Sequence, residues 1–283
     1  MSEQLKGGDE RPWLAVRIEP SGDPRLVIDV LFAEGSLGVQ EEGGAIITYF
    51  PPDIAASDIE SAVKDADPGA TVTTAAAPRA DWSEWRASVR AHRLGRLTIT
   101  PPWLATDDED SMQVVIDPAM AFGTGEHATT RGVIRLMQKV ASMPRVVADL
   151  GAGSAVLSIC AAKLGASRVV AIELDADAIG NAQQNVKFNG VGAVVSVLQG
   201  DAAVLLPLIA PVGLVLANII SSVLLELLPV IRESLAADGR AILSGILVEE
   251  RAIMSEAIVR SGWEILSEDL EEGWWSVLIA RPR

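Results

Sequence analysis

Two acids and two glycines stand at telling intervals in VVADLGAGSAVLSICAAKLGASRVVAIELD, residues 146–175: Asp149, Gly151, Gly153 and Glu173. A glycine turn between a strand and a helix lets the backbone approach a ligand closely, and the helix N-terminus behind it ordinarily attracts an anion. The dinucleotide fingerprint G-x-G-x-x-G is met only in part, because Val156 occupies the place of the third glycine. Asp149, two residues before Gly151, argues further against a pyrophosphate. A carboxylate there favours a cation, such as the ammonium of a methionine moiety. Glu173 ends the next strand, where an acid can accept from both hydroxyls of a ribose. Together these residues suit S-adenosyl-L-methionine, which carries an ammonium and a sulfonium but no phosphate.

Other polar residues fall where open α/β sheets place ligands, at the carboxyl ends of strands. Asn218 directly follows VGLVLA, so its amide oxygen could accept from an amine N–H and aim the nitrogen lone pair at a methyl group. Capping of the helix that begins near Ser221 is the plainer role for it. Asp201, after the third strand, could accept from an adenine amino group or simply sit in a surface turn. DPAMAFGTGEHATT, residues 117–130, flanks Thr124 with glycines and then offers Thr129 and Thr130 as helix caps or as hydroxyl donors to a ligand. His127 is expected to order the loop rather than act as a base.

The elements that must position these groups follow from periodicity. Residues 13–18 read as a strand, 23–34 as an amphipathic helix ended by Gly35, and 37–50 as a hairpin turning at Gly43 and Gly44. A second helix, with Asp53 as its cap, and the strand TVTTAAA complete a β-α-β-β-α-β order, that of a ferredoxin-like α+β sandwich. Residues 79–96 hold five Arg and two acids and are expected to contain a short helix, within a connector running to residue 110. From residue 111 onward, apolar runs of strand length (MQVVIDP, VVADL, RVVAIEL, VVSVLQG, VGLVLANI, RAILSGI) alternate with helices, which implies a parallel sheet covered on both faces. A terminal hairpin, WEILSEDL and WWSVLIARP, adds an antiparallel strand.

Composition bounds the partners. The chain has 283 residues, 49% of them hydrophobic, and a formal net charge of −15. That charge disfavours nucleic acid as a direct ligand and suits a basic partner. Residues 1–78 carry 14 acidic and 5 basic side chains, so most of the excess lies there. Cys160 sits among Ala and Ile on a helix and reads as a core residue. One Cys and two His offer little for a zinc site, and no metal is expected. The N-terminus has no apolar h-region and no run suits a membrane span, so a cytoplasmic setting without membrane contact is expected. Nothing specifies an oligomer, and a monomer is the expectation.

The front segment, the DWSEWR connector, DPAMAFGTGEHATT, DLGAGSAVLSICAAKLGA, ANII and LSGIL together resemble the ribosomal protein L-eleven methyltransferase family over nearly the whole chain. The resemblance implies a seven-stranded Rossmann-like class I methyltransferase domain over residues 111–283, preceded by a ferredoxin-like substrate-recognition domain over residues 1–78. It implies methyl transfer from S-adenosyl-L-methionine to lysine and/or N-terminal amines of a basic ribosomal protein. The family's cofactor contacts fall on Thr130, Gly151, Glu173 and Asn218, with Gly153 in the same turn and Asn218 also orienting the amine. The chain departs from the family's usual pattern at Ala155 for Gly, at Glu173 for Asp, and at Ile219-Ile220-Ser221 for Ile-Leu-Ala. Two other readings stay open: a related lysine methyltransferase with a different protein substrate, and a non-catalytic protein that binds an adenosyl ligand or the ribosome.

Overall fold

The computed structural model describes residues 13–36, 39–51, 54–76, 89–106, 112–117 and 125–282. The chain forms two compact units, one ending at Ser88 and the other beginning at Val89.

In the first unit, β1 (Leu14–Glu19), α1 (Pro24–Ala33), β2 (Val39–Glu42), β3 (Ala45–Phe50), α2 (Ala56–Ala66) and β4 (Thr71–Ala76) follow in that order. The strands form one antiparallel sheet in the order β2-β3-β1-β4. Alternation sets its faces: Val16 and Ile18 are buried while Arg17 and Glu19 are exposed. The buried set packs with Val27 and Leu31 of α1 and Ile59 and Val63 of α2. Asp23 caps α1 by accepting from the Arg25 N–H, and Pro24 supplies a pre-set φ at its first turn. Glu42 pairs with Ala45 around Gly43 and Gly44, whose positive φ angles of 58° and 87° permit the two-residue turn. The cap position of α2 holds Ala55, which has no side-chain acceptor, rather than Asp53, which lies outside the described residues.

The second unit opens with a small sheet of β5 (His92–Leu94), β6 (Leu97–Thr100) and β7 (Met112–Val115). Leu97–Thr100 is a strand, as LTITPPW is read in the sequence, and it pairs with His92–Leu94, a strand the sequence reading did not single out. One sequence expectation changes here. MQVVIDP, expected in the run of parallel strands, contributes β7, which pairs with β6 instead of joining the large sheet. The short helix expected in residues 79–96 falls mainly on residues outside the described set.

The large sheet has seven strands: β8 (Val146–Leu150), β9 (Arg168–Glu173), β10 (Val195–Gln199), β11 (Val212–Asn218), β12 (Leu235–Leu247), β13 (Glu264–Glu271) and β14 (Trp274–Ala280). Their order is β10-β9-β8-β11-β12-β14-β13, parallel except for β14, which runs antiparallel to both neighbours. This is a mixed-sheet α/β fold of the class I methyltransferase type. Helices α3 (Ala128–Met137), α4 (Val156–Lys163) and α5 (Ala176–Phe188) cover one face, where Leu136, Ile159 and Val186 meet Val147, Val169 and Leu216. After the short α6 (Ala202–Leu205), α7 (Ser221–Ser234) and α8 (Arg251–Arg260) cover the other face, where Leu228 and Ile258 meet Val170, Val215 and Trp275. Each such buried aliphatic side chain contributes about 1.5–3 kcal/mol. Cys160 is fully buried in the first cluster and burial pushes its thiol pKa up, which makes it a packing residue. Among the described residues, no helix is long and apolar enough to cross a membrane.

Candidate functional site

The strand order reverses between β8 and β11, because the chain runs outward from β8 to β9 and β10 before returning to the other side. Open α/β sheets bind ligands at such a switch point, beyond the carboxyl ends of the strands. A cavity of about 860 Å³ lies there, lined by Gly151 after β8, Glu173 at the end of β9, Gly200 and Asp201 after β10, and Asn218 at the end of β11. A larger depression, about 1390 Å³, is lined by Val146 and Gly213, at or next to the amino ends of β8 and β11. It therefore lies away from the glycine turn and from the strand ends where the chemistry-bearing side chains converge.

Gly151 adopts φ 68°, and a Cβ at that position would overlap the Ile219 side chain. Glycine is required here both by the backbone and by the close approach of the β8 and β11 ends. Gly153, at φ 51°, donates its N–H to Glu173 Oε2 at 2.7 Å, while Asp175 N–H donates to Oε1 at 2.9 Å. Glu173 thus grips the glycine turn and its own following turn while lining the cavity. Gly153 supports the turn from behind and is not among the lining residues. Ala155, at φ 63° and ψ 19°, holds the left-handed conformation that glycine usually takes, at a cost of roughly 1–2 kcal/mol. Its methyl is fully buried, so this departure from the family pattern strains the backbone and does not crowd the cavity.

Asp149 is placed differently from the expectation. It is fully buried beneath the turn and does not line the cavity. On β8 it points to the face covered by α4, where Ser158 Oγ donates to Oδ2 at 2.7 Å, while Oδ1 has no hydrogen-bond partner. Burial, reinforced by the nearby Glu173 charge and opposed by Ser158, pushes its pKa up to about 6. A cation above the turn is therefore reached by its field rather than by contact.

Asn218 does not cap α7, whose cap position is Ile220. Its Nδ2 donates to Thr130 Oγ1 at 3.4 Å, which makes Oδ1 the acceptor end of the amide. Thr130 is fully buried and supports Asn218 without lining the cavity. Thr129 does line it. His127 caps α3: its Nδ1 accepts from the Thr129 N–H and lies 2.7 Å from Thr129 Oγ1. Its Nδ1 is thereby engaged with Thr129 at the start of α3, a position that orders the helix entry. Asp201 caps α6 through the Ala203 N–H at 2.8 Å and also lines the cavity, so both roles open in the sequence are compatible with its position.

Trp274 and Glu226 are among the lining residues that the sequence did not single out. Trp274 stacks edge-on against His127, with ring centroids 4.9 Å apart, and Glu226 projects from the second turn of α7. Trp274 is brought in by the terminal hairpin, and α3 is tied to that hairpin by Arg131 and Arg135. Arg131 pairs with Glu271 and Glu272 at 3.0 Å, and Arg135 Nε donates to Asp269 Oδ2 at 2.8 Å. The Arg135 hydrogen bonds hold the Asp269 carboxyl below its usual range. The signal for this clamp was the i, i+4 pair of arginines on α3 and the acid-rich β13, but neither states its partner.

The family profile described as ribosomal protein L11 methyltransferase (PrmA) matches residues 21–282. A ribosomal protein L11 methyltransferase from Synechococcus sp. (strain RCC307) is 37% identical over 207 residues, covering 71% of this chain and 68% of the relative. Another, from Exiguobacterium sp. (strain ATCC BAA-1283 / AT1b), is 38% identical over 210 residues, covering 73% and 67%. The crystal structure of ribosomal protein L11 methylase from Lactobacillus delbrueckii subsp. bulgaricus superposes with a TM-score of 0.62 at 28% identity, covering 69% of this chain and 100% of that one. The cavity at the switch point, its glycine turn and the match over residues 21–282 agree, and the chain belongs to the ribosomal protein L11 methyltransferase family.

Proposed function

We propose that this chain transfers methyl groups from S-adenosyl-L-methionine to lysine and/or N-terminal amines of ribosomal protein L11. The observation that carries the reading is the convergence of Gly151, Glu173 and Asn218, from the ends of three strands, on one cavity. The relatives' names supply the substrate.

The cavity suits the cofactor's charge. Among the described residues, its lining holds three carboxylates, Glu173, Asp201 and Glu226, one imidazole, and no Lys or Arg. Such a lining repels a pyrophosphate and welcomes an ammonium and a sulfonium. Glu173 would accept from the ribose hydroxyls, the backbone at Gly151 would lie along the ligand, and Ile172, Leu174, Val223 and Leu227 offer apolar surface for a base. The cofactor, when bound, supplies an electrophilic methyl group on its sulfonium.

The protein's part is orientation and exclusion of water. Asn218 Oδ1 accepts from the neutral amine and directs its lone pair, with Thr130 fixing the amide. Trp274 and Ile219 form an apolar wall that favours an uncharged amine over an ammonium. With the His127 Nδ1 engaged by Thr129, the amine's proton would leave to water before docking. An N-terminal amine, with a pKa of about 8, loses that proton more readily than a lysine at about 10.4.

The first unit, read as a ferredoxin-like domain, would recognise the substrate. Its β-α-β-β-α-β order and antiparallel β2-β3-β1-β4 sheet support the reading. The 14 acidic and 5 basic side chains of residues 1–78 would attract a basic protein. Calorimetric titration tests the cofactor assignment: S-adenosylmethionine binds and NAD does not. Binding of NAD alone would overturn it.

A further inference from the structure

Among the described residues, strand β7 has one neighbour in its small sheet, β6. Its other edge is served by side chains. Asn181, Asn185 and Asn189 recur every four residues along α5 and its C-cap. Asn189 Oδ1 accepts from Val115 N–H at 2.8 Å, and its Nδ2 donates to Val115 O at 2.6 Å. Asn185 Oδ1 accepts from Asp117 N–H at 2.9 Å, and Asn181 Nδ2 donates to Asp117 O at 3.4 Å. The periods match. Four helical residues rise about 6.0 Å, and two strand residues span roughly 6.6 Å. A ladder of amides therefore stands in for a neighbouring strand.

Asn185 differs from the other two. It is fully buried, and its Nδ2 donates to Ser154 O at 3.0 Å, inside the glycine turn. The Ser154 carbonyl immediately precedes Ala155, the residue in the left-handed conformation. One carboxamide thus holds Asp117, two residues beyond β7, with its oxygen, and with its nitrogen the turn together with Asn181 Oδ1 at 3.2 Å. A carboxylate would keep the first bond and lose the second.

We propose that Asn185 is a positioning residue of the methyl-transfer site: it holds the Ser154 carbonyl, and with it the Ala155 bend, in the shape the cofactor requires, and registers that turn against β7. The consequence for binding rests on the proposed cofactor reading of the glycine turn. The positional claim stands on the hydrogen bonds alone.

The experiment compares Asn185→Asp, Asn185→Ser and Asn189→Asp in the full chain. S-adenosylmethionine affinity is measured by calorimetry, and amide exchange over residues 151–156 by mass spectrometry. Each variant loses at least one side-chain hydrogen bond, to the Ser154 carbonyl in Asn185→Asp and to the β7 segment in Asn189→Asp, and each is expected to unfold at a lower temperature. Only the Asn185 variants are expected to exchange faster across the turn and to bind about tenfold more weakly, since only they remove the Asn185 Nδ2 bond to the buried Ser154 carbonyl. Turnover at saturating cofactor stays within about twofold of the parent chain, because the reacting groups are untouched. If Asn185→Asp does not fold, Asn185→Ser decides the question by the same two readouts. Unchanged exchange at the turn, or equal loss of affinity in Asn189→Asp, overturns the proposal. A parent chain that binds no S-adenosylmethionine while the Asn185 variants still loosen the turn would sink the cofactor reading and leave the positional claim standing.

Discussion

The Gly153 N–H donates to Glu173 Oε2 at 2.7 Å, so the acid that ends β9 fastens the turn that follows β8. The residue read as a ribose acceptor is therefore also a brace for the backbone on which the cofactor would lie. Glutamate can span that gap, and the aspartate more usual in the family is one methylene shorter.

Substitution at Glu173 separates those two tasks. Glu173→Gln keeps an acceptor for Gly153 but loses the charge, and is expected to weaken S-adenosylmethionine binding by about tenfold or more, the worth of a charge-assisted hydrogen bond. Glu173→Ala loses both and is expected to bind more weakly still. Calorimetric Kd values for the two variants check the order, and equal affinity in all three proteins would contradict the role.

Asn218→Ala removes the acceptor for the amine while leaving Glu173 and the glycine turn intact. Turnover should fall by about a hundredfold, within the range expected when an orienting group is lost, with the Kd for S-adenosylmethionine changing by far less. Steady-state kinetics on ribosomal protein L11 together with a direct binding measurement decide it. Full turnover would sink the assignment.

Asp149 gives the fold a pH dependence of unusual sign. Its folded pKa, about 6, lies above the usual 3.8, so between those values the native state holds the proton more tightly than the unfolded chain does. Its contribution to stability is greatest at low pH and is lost as the pH rises from about 4 to about 6. The rise corresponds to on the order of 3 kcal/mol. Asp149→Asn is expected to melt at a higher temperature than the parent at pH 8 and to show less of this dependence, yet to bind the cationic cofactor more weakly. Unfolding curves at pH 4, 6 and 8 would expose the opposite trend if it exists.

Asp67, in the first unit, has the opposite sign. The Ser21 hydroxyl and the backbone N–H groups of Ser21, Gly22 and Gly69 all donate to its carboxylate, tying the turn before α1 to the turn after α2. The Ser21 hydroxyl first, and these N–H groups with it, hold its pKa near 2, against desolvation. Its stabilisation is complete above pH 4 and is lost as the pH falls from about 4 towards 2. Asp67→Ala should lower the melting temperature of this unit at pH 7 and much less at pH 2, measured by far-UV circular dichroism. An equal loss at both values would refute the account.

Local chemistry made much of this legible. Val16 and Ile18 alternate with Arg17 and Glu19, Asp23-Pro24 announces a helix, and Gly43-Gly44 announces a hairpin. The apolar runs at β8, β9 and β11 read as strands buried on both faces, whereas β10, at the sheet edge, is largely exposed. Asn218 and Glu173 could be placed because strand ends in a parallel sheet converge by topology. What stayed hidden depended on partners distant in sequence. MQVV has the composition of a core strand, and only tertiary pairing with Leu97–Thr100 puts it in another sheet. Asp149 was expected to meet the ligand because it adjoins Gly151, but strand alternation turns it under α4. Trp274 lies in a hairpin whose sequence gives no hint that α3 and its arginines will draw it to the cavity.

The most direct test of the central claim is methyl transfer itself. The purified chain is incubated with S-adenosylmethionine and ribosomal protein L11, and the intact mass of L11 is followed with time, with peptide mapping of its lysines and N-terminus. The account predicts stepwise mass increments of one methyl on amine nitrogens, sharply slowed in Asn218→Ala. An L11 mass that stays constant while the enzyme binds S-adenosylmethionine normally would contradict it.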